Sequence, residues 1–526
     1  MHTPNETILC APDAPVADTR QGRLRGFTRN GVTQFRGIRY ARAERFCLPQ
    51  PPMPWQGIRN ALQYGYVCPN PAFHTDPSFS ADSAEMPIDT FTLPQRFWPE
   101  NEHCQFLNIW APANAADARR PVMVWLHGGG YTGGSSLELA AYDGEALARV
   151  GDVVVVTLNH RLNLLGYLDL SAYGEKYRHS ANAGMWDIIA ALRWIRENIA
   201  AFGGDPDNVT LFGQSGGGGK VATLLQMPAA DGLYHKAIIQ SGTLSLDALR
   251  RTPVTARADT EQLLARLGLN ADTVSRLETL PFDTLAHASN AIAREQTGAP
   301  IFMGWAPVPG EDFVGDPLLV GFRQQTAHIP VIVGSNLCEF STPAPGSAAL
   351  SPEKALEVLR PRAKDRAAEL AACFAAVWPQ LPAVYAAAAD STMRSGVTQF
   401  CTARAAMTNA PVYQYLFAFE SPVLGGFLMG HSSEIAFVFH NAACGITTAA
   451  GEASGRLEEE MSLAWAHFAR TGSPDGAGLP DWPAFNDPQQ PSCLVYENGQ
   501  TAARPARFDA PLQQLLTQLD AAHGPQ

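Results

Sequence analysis

Two continuous apolar runs in the first half of the chain constrain the fold most strongly. They are PVMVWL at 121–126 and VVVVTL at 153–158. Strands that read as unbroken apolar runs are typical of parallel sheets covered by helices on both faces. A helical stretch at 137–150 separates the two runs, and a longer one follows at 183–202. The pattern predicts an α/β fold with a large, mostly parallel central sheet flanked by helices.

The second half of the chain continues the alternation with longer helical segments. Residues at about 245–300 and 350–410 have helical patterns, and the strand-like PVIVG at 330–334 and VYQYLFAF at 412–419 lie between and after them. The sequence shows neither an internal repeat nor a low-complexity linker. We therefore interpret residues 1–526 as a single domain whose sheet carries two helical insertions.

Composition and charge argue against several classes of partner. The net charge of −12 does not favour binding to nucleic acid or to an anionic membrane. No apolar stretch approaches the roughly 20 residues that span a bilayer. The nine cysteines include no CxxC pair, so a zinc site is not expected. The first residues lack the pattern of a signal peptide, which favours a cytoplasmic location and leaves an exported form open.

A serine lies at the junction of a strand and a helix. In VTLFGQSGGGGKVATLLQ at 209–226 a strand-like segment is followed by Gly-x-Ser-x-Gly and then by a helical segment. A serine on such a sharp turn exposes its Oγ, which indicates a nucleophile at Ser215 and an α/β-hydrolase fold. A Gly-rich turn without function is the alternative. A phosphate-binding loop does not fit, because its first glycine would fall on Gln214 and its Ser or Thr on Val221.

A second glycine-rich motif, HGGGYTGG at 127–134, directly follows the first apolar run. Successive glycines let backbone N–H groups approach a ligand, and this loop supplies part of the oxyanion hole in enzymes with the serine motif. The candidate N–H donors are Gly129, Gly130 and Gly216. A flexible surface loop is the alternative.

Longer motifs are needed to find the general base, because thirteen histidines are present. The informative segments are FRGIRYA at 35–41, NEHCQFLNIWAP at 101–112, NHRLNLLGYL at 159–168, FGGDPDNVTLFGQSGGG at 202–218, PVIVGSNLCEF at 330–340 and GHSSEIAFVF at 430–439. Their content and order resemble the type-B carboxylesterase family, which includes the cholinesterases and bacterial para-nitrobenzyl esterases. The resemblance extends over nearly the whole chain.

The resemblance implies a catalytic triad on an α/β-hydrolase fold. The nucleophile falls on Ser215, the acid on Glu339 and the base on His431, which is the chain order of α/β-hydrolases. A solvated Glu339 and a helix-capping His431 are the alternatives. Ser241 is expected near Glu339, with capping of the backbone as an equal alternative, and Glu434 is the nearest competitor for the acid.

Three positions depart from the family pattern, although none removes a catalytic group. Gln214 stands where the family usually has Glu, Gly216 where it often has Ala, and Ser432 where it has Gly. We interpret Glu434 as a residue that supports the site through a hydrogen bond to Gln214. These departures bear on substrate preference, because the residues line the site.

The expected activity is that of a serine carboxylesterase that cleaves small-molecule esters through an acyl-enzyme, without a metal or organic cofactor. An amidase or carbamate hydrolase with the same triad is the alternative, and a binding protein on the same fold is a weaker one. We expect no nucleic-acid partner, no membrane span, and a monomer or small homo-oligomer.

The resemblance also implies three structural contacts outside the triad. Arg45 with Glu102 and Arg161 with Asp187 are expected as buried ion pairs. Cys68 and Cys104 correspond to a disulfide in relatives, so their sulfurs are expected close together, with the oxidation state left open. The two cysteines bracket an aperiodic segment at 69–103, which is expected to shape the entrance to the site.

Overall fold

A computed structural model describes residues 14–70, 98–113, 118–243, 251–297, 304–487 and 489–522. Its strands are β1 Val16–Thr19, β2 Gly22–Arg25, β3 Phe27–Arg29, β4 Val32–Arg39, β5 Ile58–Asn60, β6 Phe106–Pro112, β7 Arg120–Leu126, β8 Val154–Leu158, β9 Gly204–Gln214, β10 Lys236–Gln240, β11 Val331–Asn336, β12 Val412–Ala418, β13 Glu420–Ser421, β14 Phe427–Leu428, β15 Ser492–Glu497 and β16 Ala502–Pro505. Its α-helices are α1 Glu145–Gly151, α2 Asn163–Tyr167, α3 Ala183–Asn198, α4 Gly216–Leu224, α5 Pro253–Arg266, α6 Phe282–Thr297, α7 Pro317–Val320, α8 Pro352–Ala363, α9 Ala367–Val377, α10 Thr392–Ala405, α11 Ile435–Val438, α12 Glu452–Thr471 and α13 Ala510–Ala521.

Eleven of the described strands form one sheet, in the order β16-β15-β12-β11-β10-β9-β7-β8-β6-β4-β3. Every neighbouring pair from β15 to β8 is parallel, whereas the pairs at both edges are antiparallel. The prediction of a large, mostly parallel central sheet is therefore confirmed. The two apolar runs that motivated it are β7 and β8, which lie side by side near its middle.

The centre of the sheet is covered on both faces, as the unbroken apolar runs require. Along β7, Val122 and Val124 belong to a core cluster shared with residues of α3 and α4. Met123 and Trp125 belong to a second cluster, shared with residues of α1 and α12. Because successive side chains of a strand point to opposite faces, an all-apolar strand is stable only between two layers of helices.

The predicted helical stretches are present, with one shorter than expected. Residues 137–150 contain a 3₁₀ turn at Ala140–Tyr142 and then all of α1 except its last residue, Gly151. α1 begins only at Glu145, whose backbone N–H donates to the side chain of Asp143 at 3.0 Å and is thereby satisfied at the start of the helix. Helices α5 and α6 lie in the first insertion and α8 to α10 in the second, while 244–250 and 298–303 are outside the described residues. No described helix is long and apolar enough to cross a membrane.

Both expected ion pairs are formed, but only one is buried. Nη2 of Arg161 lies 2.7 Å from Oδ1 of Asp187, and the two side chains are 3% and 0% exposed. The guanidinium of Arg45 bonds to the carboxylate of Glu102, whose side chain is 26% exposed. The expectation of burial is therefore wrong for Arg45–Glu102, because this pair lies at the edge of the structure where water reaches the carboxylate.

Cys68 and Cys104 lie in contact as buried free thiols. Burial raises the pKa of the Cys104 thiol well above its ordinary value, and the hydrogen bond between Cys104 and Cys68 contributes in the same direction. The predicted closeness of the two side chains is present. Most of the segment that the cysteines bracket, 71–97, lies outside the described residues.

We expect Arg161→Met to destabilise the fold far more than Arg45→Met. Removing Arg161 leaves the carboxylate of Asp187 buried without its cation, which costs about 3–5 kcal/mol, whereas water can solvate Glu102 after loss of Arg45. Urea titrations followed by circular dichroism measure the two free energies of unfolding. Equal losses in the two variants would contradict the assignment of Arg161–Asp187 as the structural pair.

Candidate active site

Three parallel strands bring the candidate residues to one edge of the sheet. In the register of the sheet, Gln214 at the end of β9 pairs with Gln240 at the end of β10, and Gln240 pairs with Gly334 in β11. β9 and β10 end at the same level, and β11 continues two residues further, to Asn336, at the same edge of the sheet. Ser215 and Ser241 are the first residues beyond β9 and β10.

Ser215 occupies a strained corner between β9 and α4. Its φ of 56° and ψ of −126° are unfavourable for a residue with a side chain. The corner is maintained by the bond from its N–H to the carbonyl of Gln240, at 2.8 Å. A Cβ on Gly217 would lie less than 3.0 Å from the carbonyl oxygen of Leu126, so only glycine permits this approach of helix and strand. The structure thus has the sharp turn that the motif predicts.

Glu339 and His431 are in direct contact. Oε2 of the Glu339 carboxylate accepts a hydrogen bond from the ring Nδ1 of His431. The backbone N–H of His431 also donates to the backbone carbonyl of Glu339, at 3.1 Å. The other carboxylate oxygen accepts bonds from Oγ of Ser241 at 2.7 Å and from the N–H of Asn336 at 2.8 Å. A carboxylate held by three donors fixes the imidazole tautomer, with the proton on Nδ1 and the lone pair on Nε2.

The expected bond between Glu434 and Gln214 is absent, and that prediction is wrong. Glu434 instead accepts bonds from Nε2 of Gln240 at 3.2 Å and from Nδ2 of Asn336 at 3.0 Å. Burial raises the pKa of Glu434, and the nearby charge of Glu339 adds to that effect. Asn336 therefore bridges the two carboxylates, a function that sequence reasoning missed because no motif distinguishes this asparagine.

Two of the departures from the family pattern contact each other beside His431. Oε1 of Gln214 accepts a bond from Oγ of Ser432 at 3.1 Å. This bond turns Nε2 of Gln214 toward the imidazole, where it lies 3.3 Å from Nε2 and 3.4 Å from Nδ1 of His431. Because Nδ1 donates to Glu339, the amide can donate only toward Nε2. Gln214 thus lies against the base as a neutral polar group.

The candidate oxyanion donors lie next to each other. Gly129 and Gly130 have φ values of 80° and 60°, in the left-handed region that favours glycine. Within the described residues, no group accepts a bond from the N–H of Gly129, Gly130 or Gly216. A Cβ on Gly216 would lie less than 3.0 Å from the backbone of Gly130, which explains why alanine does not occur at this position of the chain.

Phe340 is a further residue at the site that sequence reasoning missed. Its ring packs against the imidazole of His431 with a centroid distance of 4.8 Å, and the residue is 61% exposed. Phe340 directly follows Glu339, and this adjacency is the one sequence feature that places it near the site. An exposed aromatic ring beside the imidazole offers an apolar surface to a substrate.

One group among the described residues has the ligand types of a metal site. Ligand atoms of His179, Glu311 and Asp312 lie within 4.8 Å of one another. The two acids already have partners, since Glu311 pairs with Arg178 at 2.6 Å and Asp312 with His179 at 2.8 Å. We therefore assign no metal to this cluster.

Comparisons with known proteins agree with this geometry. The model of the Carboxylesterase family matches residues 13–369 and 379–510. The chain belongs to the carboxylesterase family. The para-nitrobenzyl esterase of Bacillus subtilis is 33% identical over 497 residues, which cover 91% of this chain and 94% of that protein. Phenmedipham hydrolase of Pseudarthrobacter oxydans is 31% identical over 509 residues, which cover 93% of this chain and 97% of that protein.

Solved structures of carboxylesterases superimpose over almost the full length. An esterase of Clostridium hathewayi, described as able to hydrolyze aliphatic aromatic polyesters, has a TM-score of 0.89 at 40% identity, covering 98% of this chain and 100% of that chain. A carboxylesterase of Geobacillus stearothermophilus has a TM-score of 0.71 at 34% identity, covering 95% and 100%. The fold is that of an α/β-hydrolase, and the function of the chain is that of a serine carboxylesterase.

We expect Glu339→Gln and Glu434→Gln to affect this carboxylesterase very differently. The first change removes the charge that orients His431 and should lower kcat/KM for p-nitrophenyl butyrate by roughly 10³- to 10⁴-fold. The second leaves the contact between Glu339 and His431 in place and should cost less than about tenfold. Melting temperatures of both variants control for unfolding. A larger loss of kcat/KM for Glu434→Gln than for Glu339→Gln would show that Glu434, and not Glu339, is the acid.

Proposed function

We propose that this carboxylesterase forms its acyl-enzyme on Ser215, with His431 as the general base and Glu339 as the orienting acid. One observation carries the proposal. The carboxylate of Glu339, held by Ser241 and Asn336, bonds to Nδ1 of His431 at the sheet edge where Ser215 leaves β9. A base that is oriented by a buried carboxylate and a serine on a strained corner are the two requirements of nucleophilic catalysis by serine.

The first half of the reaction acylates the serine. Nε2 of His431 takes the proton of Ser215 as Oγ attacks the ester carbonyl carbon, and the carbonyl electrons move to the oxygen. The N–H groups of Gly129, Gly130 and Gly216 stabilise the resulting oxyanion. When the tetrahedral intermediate collapses, the bond to the alcohol oxygen breaks and the imidazolium returns its proton to that oxygen.

The second half releases the acid and restores the serine. Water enters the position of the departed alcohol and loses a proton to His431 as its oxygen attacks the acyl carbon. The new oxyanion is stabilised by the same N–H groups. Collapse of this intermediate breaks the bond to Oγ of Ser215, which takes the proton back from His431. No step requires a metal or an organic cofactor.

The preferred substrates in this proposal are neutral esters of small molecules. Gln214 contacts His431 as an uncharged amide, and Ser432 adds a second neutral group. The exposed ring of Phe340 beside His431 favours an apolar or aromatic group at the entrance. The amidase or carbamate alternative uses the same triad and differs only in the leaving group, so paired ester and amide substrates with the same acyl group separate the two.

Ser215→Ala should lower esterase activity by a factor on the order of 10⁴ or more, because the acyl-enzyme cannot form. His431→Ala should be about as damaging, since members of a triad act as a unit. Hydrolysis of p-nitrophenyl butyrate measures the loss, and labelling by a fluorophosphonate probe reports the activated serine directly. If the chain were a binding protein on this fold, the probe would not label the wild type. Retention of more than a few per cent of turnover in Ser215→Ala would refute the nucleophile.

Quaternary-ammonium esters should be poorer substrates than neutral esters of equal shape. Without a carboxylate at position 214, the site lacks the Coulomb attraction that a dry environment would strengthen most. The comparison uses butyrylcholine and its uncharged isostere 3,3-dimethylbutyl butyrate, with kcat/KM as the measurement. The variant Gln214→Glu should narrow the difference. A wild type that prefers the choline ester would contradict the proposal.

A further inference from the structure

Lys220 is a buried cation that the proposed reaction does not use. It lies in α4, five residues after Ser215, and is fully buried. Its Nζ donates to the carbonyl oxygen of His127 at 3.0 Å and to that of Gly130 at 2.7 Å. Lysine is almost never fully buried unless it has partners. Both hydrogen bonds of the ammonium go to backbone carbonyls of the glycine-rich loop after β7, which indicates a role in that loop.

The two carbonyls flank the two N–H donors of the loop. The carbonyl of His127 belongs to the peptide unit that precedes the unit containing the N–H of Gly129. The carbonyl of Gly130 belongs to the unit that follows the one containing the N–H of Gly130. Peptide units are planar, so holding the planes on either side restricts rotation of the two units between them. We propose that Lys220 is a positioning residue that aims the N–H groups of Gly129 and Gly130 at the oxyanion.

The remaining carbonyls of the loop have donors of other kinds. That of Gly128 lies 3.0 Å from Nδ1 of His127, that of Gly129 accepts from the N–H of Gly133 at 3.0 Å, and that of Tyr131 accepts from the N–H of Asn163 at 2.7 Å. Every carbonyl from 127 to 131 is thus engaged by the protein, and Lys220 engages two of the five. Because these bonds fix the carbonyls of the loop, the peptide planes are held, and the N–H groups of Gly129 and Gly130 stay directed toward the substrate.

Gly216 provides the space that this arrangement requires. Its backbone lies so close to Gly130 that a Cβ would come within 3.0 Å of the N, Cα and O atoms of that residue. The ammonium of Lys220 draws the loop onto the start of α4, and a glycine at position 216 is what permits the approach. Tyr131 continues the contact, because its hydroxyl lies 2.9 Å from Oγ1 of Thr223 on α4.

Lys220 and two histidines near it have pKa values that are shifted by burial. Burial lowers the pKa of Lys220 to about 7, opposed by the charge of Glu138. Burial also lowers the pKa of His127 and of His160, and the charge of Lys220 acts in the same direction. Groups with strongly shifted pKa values cluster at functional sites. An uncharged amine has two N–H groups and still reaches both carbonyls, so the decisive test removes the amine instead of changing the pH.

The test uses Lys220→Met, which keeps the apolar stem and removes the donors. Lys236→Met is the matched control, since Lys236 is a half-buried lysine at the opposite end of β10 whose ammonium bonds to the side chain of Asn208. For p-nitrophenyl butyrate we expect Lys220→Met to lower kcat about 10- to 100-fold with KM nearly unchanged, because the oxyanion contact strengthens in the transition state. The control should keep the wild-type kcat.

Two further measurements separate positioning from general damage. A trifluoromethyl ketone adds to the serine and places an oxyanion in the same hole, so its affinity for Lys220→Met should fall by the same factor as kcat/KM. Gly216→Ala, which displaces Gly130 while Lys220 is intact, should also lower kcat, and the double variant should lose little more than the worse single variant. Circular dichroism verifies that each variant is folded.

The inference is overturned if folded Lys220→Met keeps kcat and ketone affinity within about threefold of the wild type. If that variant does not fold, the decision passes to Gly216→Ala, and wild-type activity in it also overturns the inference. The inference rests on the proposed function, because the loop matters only if the acyl oxygen binds there. Ser215→Ala in the same series loses activity whether or not Lys220 matters, so the two proposals fail separately.

Discussion

The close approach of two backbones, the loop after β7 and the start of α4, is the constraint on which the site depends. β7 and β9 are parallel neighbours that end at the same level, so the chain that leaves each must share the same small space. Side chains at 216 or 217 would collide with Gly130 or with the carbonyl of Leu126. The strained backbone of Ser215 follows from this contact, because the chain must reverse sharply to enter α4.

Glu339 and His431, the acid and base of the proposed triad, are supported by a buried polar network in which Asn336 makes the most hydrogen bonds. The N–H of Asn336 donates to Glu339, and its side-chain amide donates to Glu434 and to the carbonyl of Gly430 one residue before His431. Two buried carboxylates so close together repel each other, and this repulsion helps to raise the pKa of Glu434. Hydrogen bonds stabilise charge in a low-dielectric interior, and a network with its carboxylates bonded in this way restrains the orientation of the base.

The departures from the family pattern fit together in the structure. Gln214 and Ser432 are bonded to each other, so a neutral pair lies against His431 where the family usually has a carboxylate near a glycine. Gly216 and Lys220 act on the same loop, one by leaving space and the other by binding its carbonyls. Two of the three departures, Gln214 and Ser432, therefore lie together beside His431, and the third, Gly216, lies against the glycine-rich loop at 127–130.

The sequence by itself determined the parallel sheet and the serine corner, because these depend on local periodicity and on a motif at the junction of a strand and a helix. Glu339 and His431 were found through the resemblance to the family, since thirteen histidines leave the base open to any local pattern. The same resemblance indicated the pair Arg161–Asp187. Only the tertiary structure decided that Glu434 binds Asn336 and Gln240, that Phe340 covers His431, and that Lys220 reaches the loop at 127–130. These contacts join residues that are about 90 to 200 positions apart in the chain. Their partners are selected by packing distance and burial, which no local pattern in the chain encodes.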